Sequence, residues 1–504
     1  MRGLLGDQHE LPAEGVQPMT KELRRLSILM LFMFLALFAS TSWIQVVQAD
    51  ALSANPENRR ALFDSYEVQR GSIVASGSAI ASSVPSDDAY SWQRVYPDAA
   101  MWAPVTGWIN PALGSAPPGI ETSMNQVLSG TASSQFLSRI ERIISGQQPR
   151  GSNVVLSLDA TVQRAAFEAL GGLQGAVLAI EPSTGRILAM VSSPSFDTNL
   201  LASHDTTEVN AAYDALEADP THPLSNRAIA GDLNPPGSTF KLVVASAALA
   251  SGDYTPESTL PNPAIYQLPQ SSSTVRNASG GTCGPGDEVT IADALRLSCN
   301  IPFAELAVEL GDTAIREEAE KYGFNLAFEM PLVSTPSSYP RALDDPQTAL
   351  TGFGQGQVTA TPLQMAMVSA GIANGGVVMN PRMVDRVIGP DLSVQERVES
   401  TEFGRALEQG LAEEMVAMMV ANVSDGAASG ARIDGVDVAG KTGTAENGPE
   451  QPYTLWFTGF APADDPQVAV AVVVEDGGGQ GQSGSGNTIA APIAKKVMEA
   501  VLGR

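Results

Sequence analysis

The run Leu26–Ala49, LSILMLFMFLALFASTSWIQVVQA, carries no charged side chain and restricts the chain to arrangements that keep a long apolar helix out of water. At about 1.5 Å per residue, such a run crosses the hydrocarbon core of a bilayer as one helix. A cleaved signal peptide and a buried helix are the competing readings. The run is long for a signal core, and Gln48-Ala49-Asp50 makes a poor cleavage site. Lys21, Arg24 and Arg25 precede the run while Asp50 and Glu57 follow it, so the positive-inside rule leaves a short cytoplasmic tail and exports the rest. Met19 competes with Met1 as the start. The expected organisation is a tail at 1–25, a transmembrane helix at 26–49, a small irregular module at 51–150 and a large domain at 151–504.

The chain is acidic: 55 Asp and Glu against 29 Lys and Arg give a net charge of −26. No segment supplies the basic stripe that nucleic acid requires, so nucleic-acid binding is excluded. Cys283 and Cys299 are the only two cysteines. They are too far apart for a redox C-x-x-C pair and have no histidines at ligand spacing, which argues against a metal. Whether they form a disulfide or stay as two buried thiols is open at this stage. His9, His204 and His222 lie in the tail or in polar, loop-like stretches. Any nucleophile here therefore needs a base other than histidine.

From Arg150-Gly151-Ser152 onward the texture changes. VVLSLDATVQRAAFEAL reads as a strand, an Asp cap and an amphipathic helix. GAVLAIEPSTGRILAMVS follows as two β-rich runs joined by Pro182-Ser183-Thr184-Gly185, a hairpin signal. LWFTGFAP and QVAVAVVVE form a second β-rich pair near the C-terminus, and IAAPIAKKVMEAVL closes the chain as a helix. Strands at both ends with helices between predict one α/β (α+β) domain whose central, mostly antiparallel sheet is completed by its C-terminal strands. GGGQGQSGSGN at 477–487 reads as a flexible loop.

Three short motifs carry chemistry. Pro235-Pro236-Gly237-Ser238-Thr239-Phe240-Lys241 opens onto the helical LVVASAALA, which puts Ser238 at a helix N-terminus and Lys241 three residues on, on the same face. An amine within reach of a hydroxyl, beside free backbone N–H groups, makes an activated nucleophile and part of an oxyanion hole. Ser298-Cys299-Asn300 opens the helix-like IPFAELAVEL. Lys441-Thr442-Gly443-Thr444 is a strand segment whose glycine lets an extended peptide lie close. Each is weak alone: S-x-x-K arises readily by chance, S-x-N also begins at Ser53, Ser123 and Ser485, and K-T-G also suits a turn. Lysine is rare, however, occurring only at 21, 241, 321, 441, 495 and 496.

Order and spacing join the three, with roughly 60 positions from the first to the second and roughly 140 from there to the third. S-x-x-K, an S-D-N type element and K-T-G together mark penicillin-binding proteins and class A β-lactamases. The chain resembles a class B high-molecular-weight penicillin-binding protein of the penicillin-binding protein A subgroup from Met19 onward. Supporting blocks are Asn226-Arg227-Ala228, Gly354-Gln355-Gly356, Thr361-Pro362-Leu363-Gln364-Met365-Ala366 and Trp456-Phe457-Thr458-Gly459-Phe460-Ala461-Pro462. Arg70-Gly71-Ser72-Ile73 and Ala103-Pro104-Val105-Thr106-Gly107 look like the family's pedestal motifs. Two positions depart from the pattern: Ala75-Ser76 stands where an Asp-Arg pair is usual, and Leu455 where many relatives have histidine.

The resemblance implies a serine transpeptidase/β-lactamase-like fold with a non-catalytic N-terminal pedestal. It implies peptidoglycan D,D-transpeptidation, in which Ser238 attacks the penultimate D-Ala carbonyl of a stem peptide and Lys241 takes its proton. Ser298 would pass a proton to the leaving D-Ala, Asn300 would hold Lys241, and Lys441 would lower the pKa of Lys241. Thr442, Gly443 and Thr444 would bind the substrate, and the backbone N–H groups of Ser238 and Thr444 would receive the oxyanion. β-Lactams would acylate Ser238, and no metal or organic cofactor is called for. A bond between Cys283 and Cys299 would pin the second motif. A SEDS-type membrane glycan polymerase is the implied partner. A D,D-carboxypeptidase, a β-lactam-sensing receptor and a non-catalytic scaffold are the alternatives. A class A β-lactamase lacks its E-x-x-L-N glutamate here, and a bifunctional polymerase lacks room for a second catalytic domain.

Overall fold

The computed structural model describes residues 20–48, 52, 68–88, 90–110, 113, 119–132, 150–231, 233–278 and 280–504. His9, Met1 and Met19 lie outside them. The chain divides into two units, Met1–Asn58 and Arg59–Arg504. In the first, helix α1 (Thr20–Ser42) runs into a further turn at Trp43–Val47, and the stretch Lys21–Gln45 is long and apolar enough to cross a membrane.

The second unit begins with β1 (Ile73–Ala75), β2 (Ser78–Pro85), β3 (Trp92–Val95) and α2 (Ala99–Thr106). After them come β4 (Asn153–Leu156), α3 (Ala160–Leu170), β5 (Gly175–Ile180) and β6 (Ile187–Ser193). The middle of the chain supplies α4 (Lys241–Ser251), α5 (Ile301–Lys321), α6 (Pro362–Ala373), β7 (Val384–Ile388), β8 (Val394–Arg397) and α7 (Gln409–Asp425). The C-terminal part adds β9 (Ala439–Ala445), β10 (Thr454–Ala461), β11 (Val468–Val474) and α8 (Ala491–Val501).

The central sheet has the order β9-β10-β11-β5-β6 with every neighbour antiparallel, so the C-terminal strands complete it as the sequence predicts. Its strands are buried on both faces, and the two-residue repeat of side chains separates two cores. Ala176, Leu178, Ile180, Ala469, Ala471 and Val473 join the core that includes α6. Val177, Ala179, Val470, Val472 and Val474 join the other, which Val162, Ala166 and Leu170 of α3 and Ile493, Val497 and Met498 of α8 complete. Asp159 caps α3 as expected, its carboxylate accepting from Thr161 and Val162 N–H.

A second sheet, β8-β7-β4-β1-β2-β3, joins strands from both sides of residue 150 and contains one parallel pair, β1 with β4. Arg70 and Arg94 converge there on the fully buried carboxylate of Glu121. Burial alone would raise its pKa, but Arg94 and Arg70 outweigh that and hold it below the usual carboxylate range. Ser76, at the departure from the pedestal motif, accepts the Ala160 N–H at 2.9 Å and so helps to start α3. Residues 477–487 wind through tight turns instead of a loose loop. Gly477 N–H donates to Tyr453 O at 2.7 Å, and Gly486 N–H donates to Thr444 Oγ1 at 3.2 Å.

Candidate active site

Gly237 gives the first motif its shape. It sits at φ +54°, a left-handed conformation that favours glycine, and its N–H donates to Gly354 O at 2.9 Å. Gly354, itself at φ +73°, presses so closely that a Cβ there would lie 1.9 Å from Gly237 O. Trp456 Nε1 donates to Pro235 O at 2.9 Å, tying the same turn to β10. The turn Gly237–Phe240 then passes into the buried α4, with Ser238 part-exposed at its head.

Lys241 is wholly buried, and its Nζ has three partners: Ser298 O at 2.8 Å, Asn300 Oδ1 at 2.9 Å and Ser238 Oγ at 3.0 Å. The first two can only accept. A neutral amine has two N–H groups and one lone pair, so those acceptors take both hydrogens and the lone pair is left facing the Ser238 hydroxyl. Burial drives the pKa of Lys241 well below the ordinary lysine value, and Lys441 pushes the same way.

Lys441, also fully buried, donates to Ser298 Oγ at 2.7 Å and Thr442 O at 2.9 Å. Burial brings its pKa down to about 7. Ser298 thus binds one lysine through its carbonyl and the other through its hydroxyl. It does so from φ +63°, a conformation that costs a serine about 1–3 kcal/mol and is typical of functional sites. Cys299, next in the chain, is bonded to Cys283, and this settles the pairing that the sequence leaves open.

Along β9 the side chains divide. Gly443 faces the Ser238 turn, where a Cβ would meet Pro236 O at 2.7 Å. Thr442 donates to Ala427 O at 3.1 Å and is nearly buried, whereas Thr444 is exposed and its hydroxyl accepts from Gly486 N–H. The hydroxyl proton of Thr442 is thus spent on the Ala427 carbonyl, whereas the Thr444 hydroxyl stands open to solvent. Leu455, where a histidine is common, pairs with Thr444 and is buried.

The structure brings together all eight residues predicted for the site. The sequence reading missed Gly354 as a direct support of the Ser238 turn, and it missed Asn277, whose Oδ1 accepts from Asn300 N–H at 2.8 Å and Ile301 N–H at 3.0 Å. The G-Q-G block hinted at the first; nothing local marks the second. Among the described residues, no group of three or more His, Cys, Asp or Glu is placed to hold a metal ion.

A part-exposed serine backed by a buried amine, set against the edge strand of a covered antiparallel sheet, defines an active-site serine acyltransferase. The penicillin binding protein transpeptidase domain model matches residues 175–499, and the penicillin binding protein A dimerisation domain model matches residues 70–154. The chain is 40% identical to the peptidoglycan D,D-transpeptidase PbpA of Mycolicibacterium smegmatis, over 96% of its own length and 99% of the relative's. It is 38% identical to PbpA of Mycobacterium tuberculosis over the same shares. The solved structure of penicillin-binding protein A from M. tuberculosis as a ceftriaxone acyl-enzyme complex is similar with a TM-score of 0.84. That match has 38% identity and covers 87% of this chain and 100% of the other. The chain belongs to the penicillin-binding protein transpeptidase family.

Proposed function

We propose that the chain is a peptidoglycan D,D-transpeptidase in which Ser238 attacks the penultimate D-Ala carbonyl of a stem peptide. The observation that carries this is the set of three partners around Lys241 Nζ, which leaves its lone pair for the Ser238 proton. As Oγ bonds to the carbonyl carbon, its proton passes to Lys241, and the oxyanion is received by the backbone N–H groups of Ser238 and Thr444. Ser298 Oγ, supplied by Lys441, gives a proton to the departing D-Ala nitrogen as the amide bond breaks. Asn300 holds Lys241, and Thr444 takes the terminal carboxylate on a strand that Thr442 and Gly443 support. An amine of a second stem peptide then displaces Ser238 and forms the cross-link. β-Lactams acylate the same hydroxyl because they present a strained amide in place of D-Ala-D-Ala.

We further infer that α1 anchors the chain with its N-terminus in the cytoplasm, which Lys21, Arg24 and Arg25 support, and that the rest lies outside. The Cys283–Cys299 bond fits an oxidising compartment. Residues 51–150 serve as pedestal and 151–504 as transpeptidase domain. With α1, the pedestal is the surface for a SEDS-type glycan polymerase; recovery of such a polymerase with the tagged chain from detergent-solubilised membranes tests that part.

Intact-mass analysis and peptide mapping of the detergent-solubilised chain after incubation with penicillin test the nucleophile, and an adduct on Ser238 is expected. Incubation with lipid-linked or nascent peptidoglycan should release D-Ala together with cross-linked dimers. Release without dimers would favour a carboxypeptidase. An intact, folded chain that forms no adduct would favour a scaffold.

A further inference from the structure

We propose that Asn277 is a positioning residue for acyl transfer, because it receives the Asn300 and Ile301 N–H groups at the start of helix α5 and so holds the Asn300 amide facing Lys241. The inference rests on the reading of Ser238 and Lys241 given above.

Asparagine at a helix N-cap ordinarily turns its own side-chain oxygen onto the N–H of the second or third helical residue, which here leaves only Phe303 because Pro302 has none. Asn300 occupies the N-cap of α5 and makes no such bond. Its Oδ1 instead accepts from Lys241 Nζ at 2.9 Å, and its Nδ2 donates to Arg276 O at 3.2 Å. The N–H groups of Asn300 and Ile301 are met from a distant part of the chain, both by Asn277 Oδ1.

Asn277 is built for this. It is 4% exposed, its Nδ2 donates to Gly281 O at 3.0 Å, and its carbonyl accepts from Gly280 N–H at 2.9 Å. The side chain is therefore fixed with Oδ1 towards α5. The neighbouring Arg276 carbonyl settles which way Asn300 points: an acceptor on one side demands Nδ2 there and sends Oδ1 to the lysine. If the Asn300 amide turned over, an N–H would face Lys241 Nζ and compete for the lone pair that Ser238 needs. If Asn300 swung back to cap its own helix, Lys241 would lose one of its two acceptors. Without Asn277, the Asn300 and Ile301 N–H groups lose their acceptor, and the backbone that carries the Asn300 amide is no longer held in place.

The test is the second-order rate of acylation by a fluorescent penicillin, measured against pH on the full chain in detergent, with thermal midpoints recorded alongside. Asn277→Ala should acylate about ten- to a hundredfold more slowly, the scale of a small misplacement of a reacting group. Asn300→Ala should lose a similar factor. The double variant should be no slower than the slower single one, because Asn277 acts through Asn300. Asn277→Asp keeps an oxygen for the Asn300 and Ile301 N–H groups but loses the donor to Gly281 O, so it should acylate faster than Asn277→Ala, with its rising pH limb moved upward by a carboxylate that favours the ammonium form of Lys241.

Wild-type rates in Asn277→Ala, or losses that multiply in the double variant, would overturn the proposal. Should Asn277→Ala fail to fold, an Asn277→Asp protein that folds yet is as slow as Asn300→Ala would overturn it equally. Wild-type protein that forms no Ser238 adduct would remove the underlying reading instead.

Discussion

Lys241 Nζ lies 3.0 Å from Ser238 Oγ, and its remaining hydrogen-bonding capacity is taken up by Ser298 O and Asn300 Oδ1. The relationship makes the protonation state of one buried amine decide whether the serine can react.

Acylation should therefore rise with pH along a limb lying well below the ordinary lysine value of 10.5. Lys441→Met removes a neighbouring positive charge, so Lys241 should hold its proton to higher pH. The limb should move upward, while the maximal rate also falls because Ser298 loses a partner. Rate profiles of both proteins with a reporter penicillin check this; an unmoved limb would exclude coupling of the two amines.

Stability should carry the same signature. Lys441 has a folded pKa of about 7 against 10.5 when unfolded, so the unfolded chain binds more protons between those values. Stability from this group then increases as pH climbs from about 7 towards 10.5 and is lost as pH falls back through that window. Lys441→Met should flatten the rise of thermal midpoint with pH over that interval.

Gly354→Ala should slow acylation by about a hundredfold, the cost of moving a reacting group by roughly 1 Å. The methyl group would start 1.9 Å from Gly237 O on a backbone at φ +73°, so the Ser238 turn must shift. The penicillin acylation rate measures it, and normal kinetics would show that the turn is held mainly from β10.

Reducing the Cys283–Cys299 bond, or replacing both residues by serine, should destabilise the protein by about 2–4 kcal/mol, as expected for opening a loop of this size. The same change loosens the loop carrying Ser298 and Asn300, so acylation should slow as well. Denaturant unfolding with and without reductant, followed by penicillin labelling, separates the two effects.

Glu121→Gln should cost about 3–5 kcal/mol, because Arg70 and Arg94 would be left as buried charges without a counter-ion. The site near Ser238 is elsewhere, so labelling of the folded fraction should be retained. Thermal unfolding together with labelling of the soluble protein provides the measurement.

Much of this molecule is written locally. The uncharged run at Leu26–Ala49 specifies a helix of bilayer length, the Asp159 cap starts α3, and the unbroken apolar runs of β5 and β11 fit strands with two covered faces. The three motifs also name the chemistry, since an amine three residues from a helix-initial serine is already on the right face. Periodicity and capping depend on neighbours within a turn or two, which is why sequence alone determined them.

Contacts between distant segments could only be decided by tertiary packing. Ser298 and Lys441 are 143 positions apart, yet Nζ and Oγ meet at 2.7 Å because β9 lies at the edge of a sheet assembled from both ends of the domain. The same packing commits Thr442 to Ala427 and leaves Thr444 open. It brings β7 and β8 into the sheet of the N-terminal module, and it delivers Asn277 to a helix that begins 24 residues later. No local pattern marks these partners: a hydrogen-bonding side chain looks the same in sequence whether it faces water or a helix end folded in from elsewhere.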